Sequence, residues 1–408
     1  MIKYLNLSIR GATIVFKSLL IFYIAKNFTV SDMAIYGLFT VTILYFLYFI
    51  GLDLYIFFSR ELVHISTEKW GGKLKHIILI YALMYFLSLF LIYYIIELKI
   101  IPSNLGLVFV FILFIEHINQ EFSRLMILKG DVLRSTIINF IRYAAWTPIL
   151  IVLFYFNFIE KSLNNIFIFW ALFGAIAIIC NLVSFKSYKI KNWEEKIELK
   201  WLLKGVSICL PFLLGTLALR GLTTVDRYFL EHNFSAEYLA SYVFYGSFVA
   251  VIATIVDSLV LSYSYPKLLK YYNSEMREEY NKEIKSMLTQ TIKYSLGFSL
   301  ILYYLTFFII KFIIKNEIYL INMHSFILML VASVVMSISM VPHYILYSQK
   351  KDKLIIFIHV LSFLIFVIIL FFLHEYFSAV IVPIMLLLVN VFILVTKSFF
   401  ALRNVRFS

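Results

Sequence analysis

The sequence predicts an all-α integral membrane protein with about 12 transmembrane helices in two six-helix lobes. Hydrophobic residues make up 62% of the 408 and charged residues only 14%. Mean hydropathy is +0.92, far from the range of soluble globular domains. Apolar stretches recur along the whole chain, each close to the roughly 20 residues that a crossing helix needs. The two halves also echo one another in sequence, which makes a six-plus-six arrangement the natural reading.

In order, the spans are expected at 8–27, 34–57, 76–97, 105–127, 138–158 and 165–185, then at 205–226, 238–261, 291–314, 322–347, 354–373 and 378–398. The longest hydrophilic breaks are 186–204 and 264–290. The first carries Lys191, Glu194, Glu195, Lys196 and Glu198. It divides the chain into an N-terminal lobe (1–186), a linker (187–204) and a C-terminal lobe with a short tail (205–408). The second, through Glu275, Arg277, Glu278, Glu279, Lys282 and Glu283, reads as an amphipathic or solvated helix joining two spans. Neither break is long enough for a soluble catalytic domain of roughly 50 residues or more. Pro148, Pro211, Pro342 and Pro383 fall within spans, where a missing backbone donor is expected to bend the helix.

The repeat rests on two pairs of segments. Asn27-Phe28-Thr29 leading to Met33-Ala34-Ile35-Tyr36 matches Asn233-Phe234-Ser235 leading to Leu239-Ala240-Ser241-Tyr242, at a constant offset of 206. Lys129-Gly130-Asp131 matches Lys350-Lys351-Asp352 between the fourth and fifth spans of each half. Six spans per half give both halves one orientation, which is a parallel repeat.

Basic residues orient the chain. With both termini on one side, that side collects 28 Lys and Arg, among them Lys3, Arg142, Lys196, Arg277, Lys397 and Arg406. The other side has six: Lys26, Lys99, Lys161, Arg227, Lys311 and Lys315. The rich side is expected to be cytoplasmic. The formal charge of +13 is therefore a topology signal. Scattered over seven short segments, it argues against nucleic-acid binding. No cleavable signal peptide is expected, since no small-residue site follows the first apolar stretch. Cys180 and Cys209 read as small buried hydrophobes.

Charges inside a bilayer are costly and therefore informative. Arg10, Thr13 and Lys17 form a polar stripe on the first span. Thr216, Arg220, Thr223 and Arg227 follow helical spacing on the seventh. Each half thus opens with a cation-bearing helix, and two such cations would draw an anionic ligand, arginine's fork suiting phosphate. The competing reading is snorkelling or an ion pair. The fourth span carries Glu116, His117, Gln120, Glu121 and Arg124. Glu116 is a candidate coupling-ion residue, or else half of a structural Glu–Arg pair with Arg124 on the same face. Asp53 and Asp257, near span ends, are gate candidates or partners of Arg60 and Lys267. His359 reads as a hydrogen-bonded packing residue. No metal cluster, phosphate-cradling glycine loop or nucleophile motif emerges, so an enzyme is not expected.

Pro211 followed by Asp226-Arg227-Tyr228-Phe229-Leu230 and Ala236 to Tyr242, with Asn27 to Gly37 and Gly51-Leu52-Asp53 in the first half, resembles the polysaccharide-export branch of the multidrug/oligosaccharidyl-lipid/polysaccharide transporter superfamily. Twelve spans without extra helices look most like a Wzx-type O-antigen flippase. That resemblance implies a MATE-like fold in the bacterial inner membrane, with both termini cytoplasmic. It implies alternating access for an undecaprenyl-pyrophosphate-linked sugar unit, whose lipid tail stays among the membrane lipids. Lys17, Arg220, Arg10, Thr216 and Thr223 would be its binding residues. It further implies no cofactor, coupling to H+ or Na+, and the polysaccharide polymerase machinery as a partner. The runner-up is a multidrug or ion antiporter of the MATE-like branch, which would favour carboxylates over cations. A membrane polymerase or ligase would need a larger outer loop.

Overall fold

The computed structural model describes residues 2–98, 100–373, 375–376 and 378–403. Lys99 and Arg406, and the side chain of Lys3, all counted above, lie outside the described residues. Among those described, twelve helices are long and apolar enough to cross a membrane. They are α1 (Leu5–Asn27), α2 (Val30–Gly51), α3 (Thr67–Glu97), α4 (Ser103–Lys129), α5 (Val132–Tyr155) and α6 (Leu163–Lys186). The second set is α7 (Leu199–Asn233), α8 (Ala236–Asn273), α9 (Arg277–Ile314), α10 (Met323–Ser348), α11 (Asp352–Leu373) and α12 (Ile381–Arg403). All twelve expected spans are present and no strand occurs among the described residues.

Several boundaries differ from expectation. The second span stops at Gly51, because Leu52 (φ 48°) and Asp53 (φ 50°) are left-handed and break the helical ladder. A short helix, Tyr55–Leu62, restarts beyond them. The hydrophilic stretch 264–290 is no separate joining helix. It is the extension of α8 to Asn273 and the start of α9 at Arg277, with Glu275 turning at φ 55°. Of the four prolines, Pro211 and Pro342 sit inside helices as expected. Pro383 instead occupies the first turn of α12, where the missing N–H costs little. Pro148 follows a π-helical segment, Ile141–Ala145, that loosens the turn ahead of its ring.

The repeat is written in hydrogen bonds. Thr29 caps α2 with a reciprocal box to Asp32, both contacts at 3.1 Å. Ser235 caps α8 through the Tyr238 N–H at 3.3 Å. Just upstream, Asn27 donates to the Tyr23 carbonyl at 3.0 Å and Asn233 to the Phe229 carbonyl at 2.9 Å. The offset of 206 holds for all of these bonds but one: Tyr238 stands where Asp32 would return a bond to the cap. The second echo holds with a shifted register. The left-handed residues are Gly130 (φ 94°) and Lys350 (φ 58°), so Gly130 matches Lys350 and not Lys351. The following N–H, of Asp131 or Lys351, bonds five residues back in each case (2.9 and 3.0 Å).

The chain divides into two compact units, Met1–Leu213 and Leu214–Ser408. The division lies within α7 rather than in 187–204. The first turns of α7 pack on the first unit: Trp201 meets Phe57 at 5.0 Å, and a Cβ on Gly205 would lie 2.7 Å from the Phe57 ring. Cys209 completes a core with Phe57, Trp70 and Leu74.

Lipid tails are as apolar as leucine, so close backbone approach and buried polar bridges must hold spans together. In the first unit, a Cβ on Gly174 would lie 2.5 Å from Ile115, so glycine alone lets α6 approach α4 there. Asn119 then reaches the Gly174 carbonyl at 2.9 Å and accepts from Asn181 at 2.8 Å. Phe39 stacks on Phe167 at 3.9 Å. In the second unit Asn390 of α12 donates to the Ala332 carbonyl of α10 at 3.2 Å, and Tyr238 bonds Ser325 at 2.7 Å.

Candidate functional site

The polar residues of the first unit converge on α4. Glu116 and Arg142 both have side chains 2% exposed and form an ion pair. The Arg142 Nε donates to both carboxylate oxygens at 3.0 Å, and its Nη2 donates to the Glu116 carbonyl at 2.8 Å. The Trp170 indole adds a bond to Glu116 at 2.9 Å. The π segment places Arg142 there, and the Trp146 indole takes up the Arg142 carbonyl at 3.2 Å. Two expectations are corrected. Arg142 is a buried span residue, not a member of the cytoplasmic basic set. Glu116 is held in a buried Glu–Arg ion pair, and its partner is Arg142, not Arg124.

Arg124 pairs with Glu121 instead and lies 4.1 Å from the Tyr55 ring centre. Glu121 also accepts from the Tyr81 hydroxyl at 2.7 Å, and Tyr85 bonds His117 Nδ1 at 2.7 Å. Lys17 of α1 sits over the Tyr143 ring at 4.2 Å, the ring that the Arg142 guanidinium also meets at 4.3 Å. Lys17 is otherwise exposed, as is Arg10. Thr13 turns back to the Ile9 carbonyl at 2.8 Å and is spent on its own helix.

In the second unit Arg220 is exposed on α7, with Thr216 half-buried and Thr223 exposed. Thr223 and Thr224 both donate to the Arg220 carbonyl, at 3.2 and 3.1 Å. The Thr223 hydroxyl is thus engaged by the backbone. Asp226 is buried and accepts from the Tyr242 hydroxyl and the Arg227 N–H, each at 2.7 Å. The Asp-Arg-Tyr run therefore fastens α7 to α8 through its aspartate.

Lys397 is fully buried, not a cytoplasmic end charge. Its Nζ lies 2.9 Å from His359 Nε2 and 3.3 Å from His343 Nδ1, joining α12 to α11 and α10. The imidazoles stack in parallel at 5.9 Å. An ammonium here requires both facing imidazole nitrogens to be unprotonated acceptors. A charged Lys397 would be held here by hydrogen bonds to two neutral rings, with no carboxylate in the triad. His359 is hydrogen-bonded as expected, but its partner was not foreseen.

The gate candidates separate. Asp53 is buried at the left-handed break below α2. Asp257 is exposed at the start of a π segment and accepts from Ser262 at 3.3 Å. Lys267, its expected partner, pairs with Glu283 at 3.5 Å. Among the described residues no group of three or more His, Cys, Asp or Glu could hold a metal ion.

No protein-family model matches the sequence, and no curated protein matches it. Solved structures do. The Vibrio cholerae MATE transporter VcmN in the bent form superposes with a TM-score of 0.64 at 13% identity, over 99% of this chain and 97% of that one. A point mutant of the same transporter gives 0.63 at 13% identity with the same coverage. The fold is MATE-like. At 13% identity the likeness speaks for the fold alone.

Proposed function

We propose that this chain is a membrane transporter that flips an undecaprenyl-pyrophosphate-linked oligosaccharide, the O-antigen unit. The unit passes from the cytoplasmic to the periplasmic leaflet of the bacterial inner membrane by alternating access, with both termini cytoplasmic. The MATE-like fold supports transport, and the resemblance in sequence supports the substrate. The observation that carries the reading is the sign of the charge exposed mid-span on the leading helix of each half. Lys17 and Arg220 are exposed on the first helix of each six-helix half, whereas the buried carboxylates Glu116 and Asp226 are occupied by Arg142 and Tyr242. An exposed mid-span cation is costly in hydrocarbon and tolerable beside water, which supports a wetted face at each. A pyrophosphate matches such faces, and a cationic drug does not.

The antiporter reading shares the fold and would need accessible carboxylates. Deletion of the gene, in a host without a redundant flippase, is expected to abolish long surface polysaccharide. Lipid-linked units should accumulate on the cytoplasmic face, read by extraction and labelling of the lipid pool. Full-length polysaccharide in the deletion strain would contradict the assignment.

A further inference from the structure

The first unit contains a crevice of about 800 Å³ bounded by α3, α4, α6 and the segment after α6. Its wall along α3 runs from Leu74 to Tyr85, eleven helical steps or about 16 Å at the helical rise. That is the depth of one leaflet, half of a hydrocarbon core of roughly 30 Å. Most polar groups along the wall are satisfied: Tyr81 bonds Glu121 and Tyr85 bonds His117 Nδ1, both at 2.7 Å, while His117 Nε2, turned towards Gly51, has no partner among the described residues. The interior therefore asks for hydrocarbon.

The mouth is different. Lys186, Lys189 and Trp193 border it, and the lysines are exposed. Their segment is fastened down rather than loose. The Lys191 N–H bonds the Glu68 carbonyl at 2.7 Å, and the Glu198 N–H bonds His76 Nε2 at 2.7 Å. Gly71 and Gly72 make this contact feasible, since a Cβ on either would lie 2.0 Å from the Lys191 carbonyl or 1.8 Å from the Glu195 carboxylate. Two lysines are thus held at the polar end of a leaflet-deep apolar slot, beside a tryptophan suited to the membrane interface.

We propose that this crevice binds an anionic phospholipid, with one acyl chain in the slot and the phosphate on Lys186 and Lys189. The site is independent of what the protein transports. Native mass spectrometry of the full-length protein in detergent provides the test. The probes are phosphatidylglycerol and phosphatidylcholine with identical acyl chains. Wild type should retain phosphatidylglycerol on the order of tenfold better, two lysines near a headgroup being sufficient for that. The exposed double variant Lys186→Gln/Lys189→Gln should lose the preference. A control, Lys282→Gln/Lys285→Gln, should keep it. Ala82→Phe, which fills the slot, should weaken both lipids. Equal retention of the two lipids by wild type would overturn the proposal. So would a preference that survives in the Lys186/Lys189 variant, or one lost equally in the control.

Discussion

Arg142→Met should destabilise the protein by about 3–5 kcal/mol, because it leaves the Glu116 carboxylate buried without its counter-charge. The partner is 2% exposed, so water cannot replace the lost guanidinium. Glu116→Leu leaves Arg142 stranded in the same way and should cost a similar amount. The double variant Glu116→Leu/Arg142→Met removes both charges and both desolvation penalties. It should recover most of the loss, retaining a deficit of about 1 kcal/mol for the Trp170 indole, whose acceptor is gone. Thermal unfolding of the purified protein in detergent, read as a double-mutant cycle, measures the coupling. Additive losses would show that the pair does not act as a unit.

Arg220→Ala should insert normally and lose most export, since the Asp226–Tyr242 bond and the close approach at Gly215, neither of which involves the Arg220 side chain, hold α7 in place. Here a Cβ on Gly215 would lie 3.2 Å from Ile356, a packing contact that the substitution leaves untouched. Arg220→Lys keeps the charge but loses the bidentate fork, so partial export is expected. At Lys17, Lys17→Arg should be tolerated better than Lys17→Ala. Lys17 also contacts Tyr143 at 4.2 Å, so its Ala variant removes a packing contact together with the charge. Surface polysaccharide at matched membrane levels is the readout. Wild-type export by Arg220→Ala would make that residue a bystander.

The spans were legible because hydropathy alone dictates them, and the repeat because Ser or Thr at a helix start and Asn at a helix end each have one local hydrogen-bonding chemistry wherever they occur. Asn27 and Asn233 make the same bond for that reason. Arg142 and Lys397 were within the expected spans, yet basic residues near span ends default to the interface. What fixes them inside are partners on other helices: Glu116 from α4, and His343 and His359 from α10 and α11. Sequence spacing carries no information on such meetings. The break at Leu52 and Asp53 was hidden for another reason. Neither residue type advertises a left-handed backbone, and only the preceding Gly51 hinted at an end. Lys350 likewise takes the left-handed place of Gly130 without being a glycine, which leaves the second echo one residue out of register in sequence.

The most direct test is flipping by the purified chain in proteoliposomes loaded with a fluorescent undecaprenyl-pyrophosphate-linked oligosaccharide. A membrane-impermeant enzyme or quencher outside reports arrival of the sugar in the outer leaflet. The proposed function predicts movement well above that of protein-free vesicles, slowed strongly by Arg220→Ala. It would be contradicted if the lipid-linked sugar moved no faster than in protein-free vesicles while the same preparation drove an organic cation such as ethidium against an H+ or Na+ gradient.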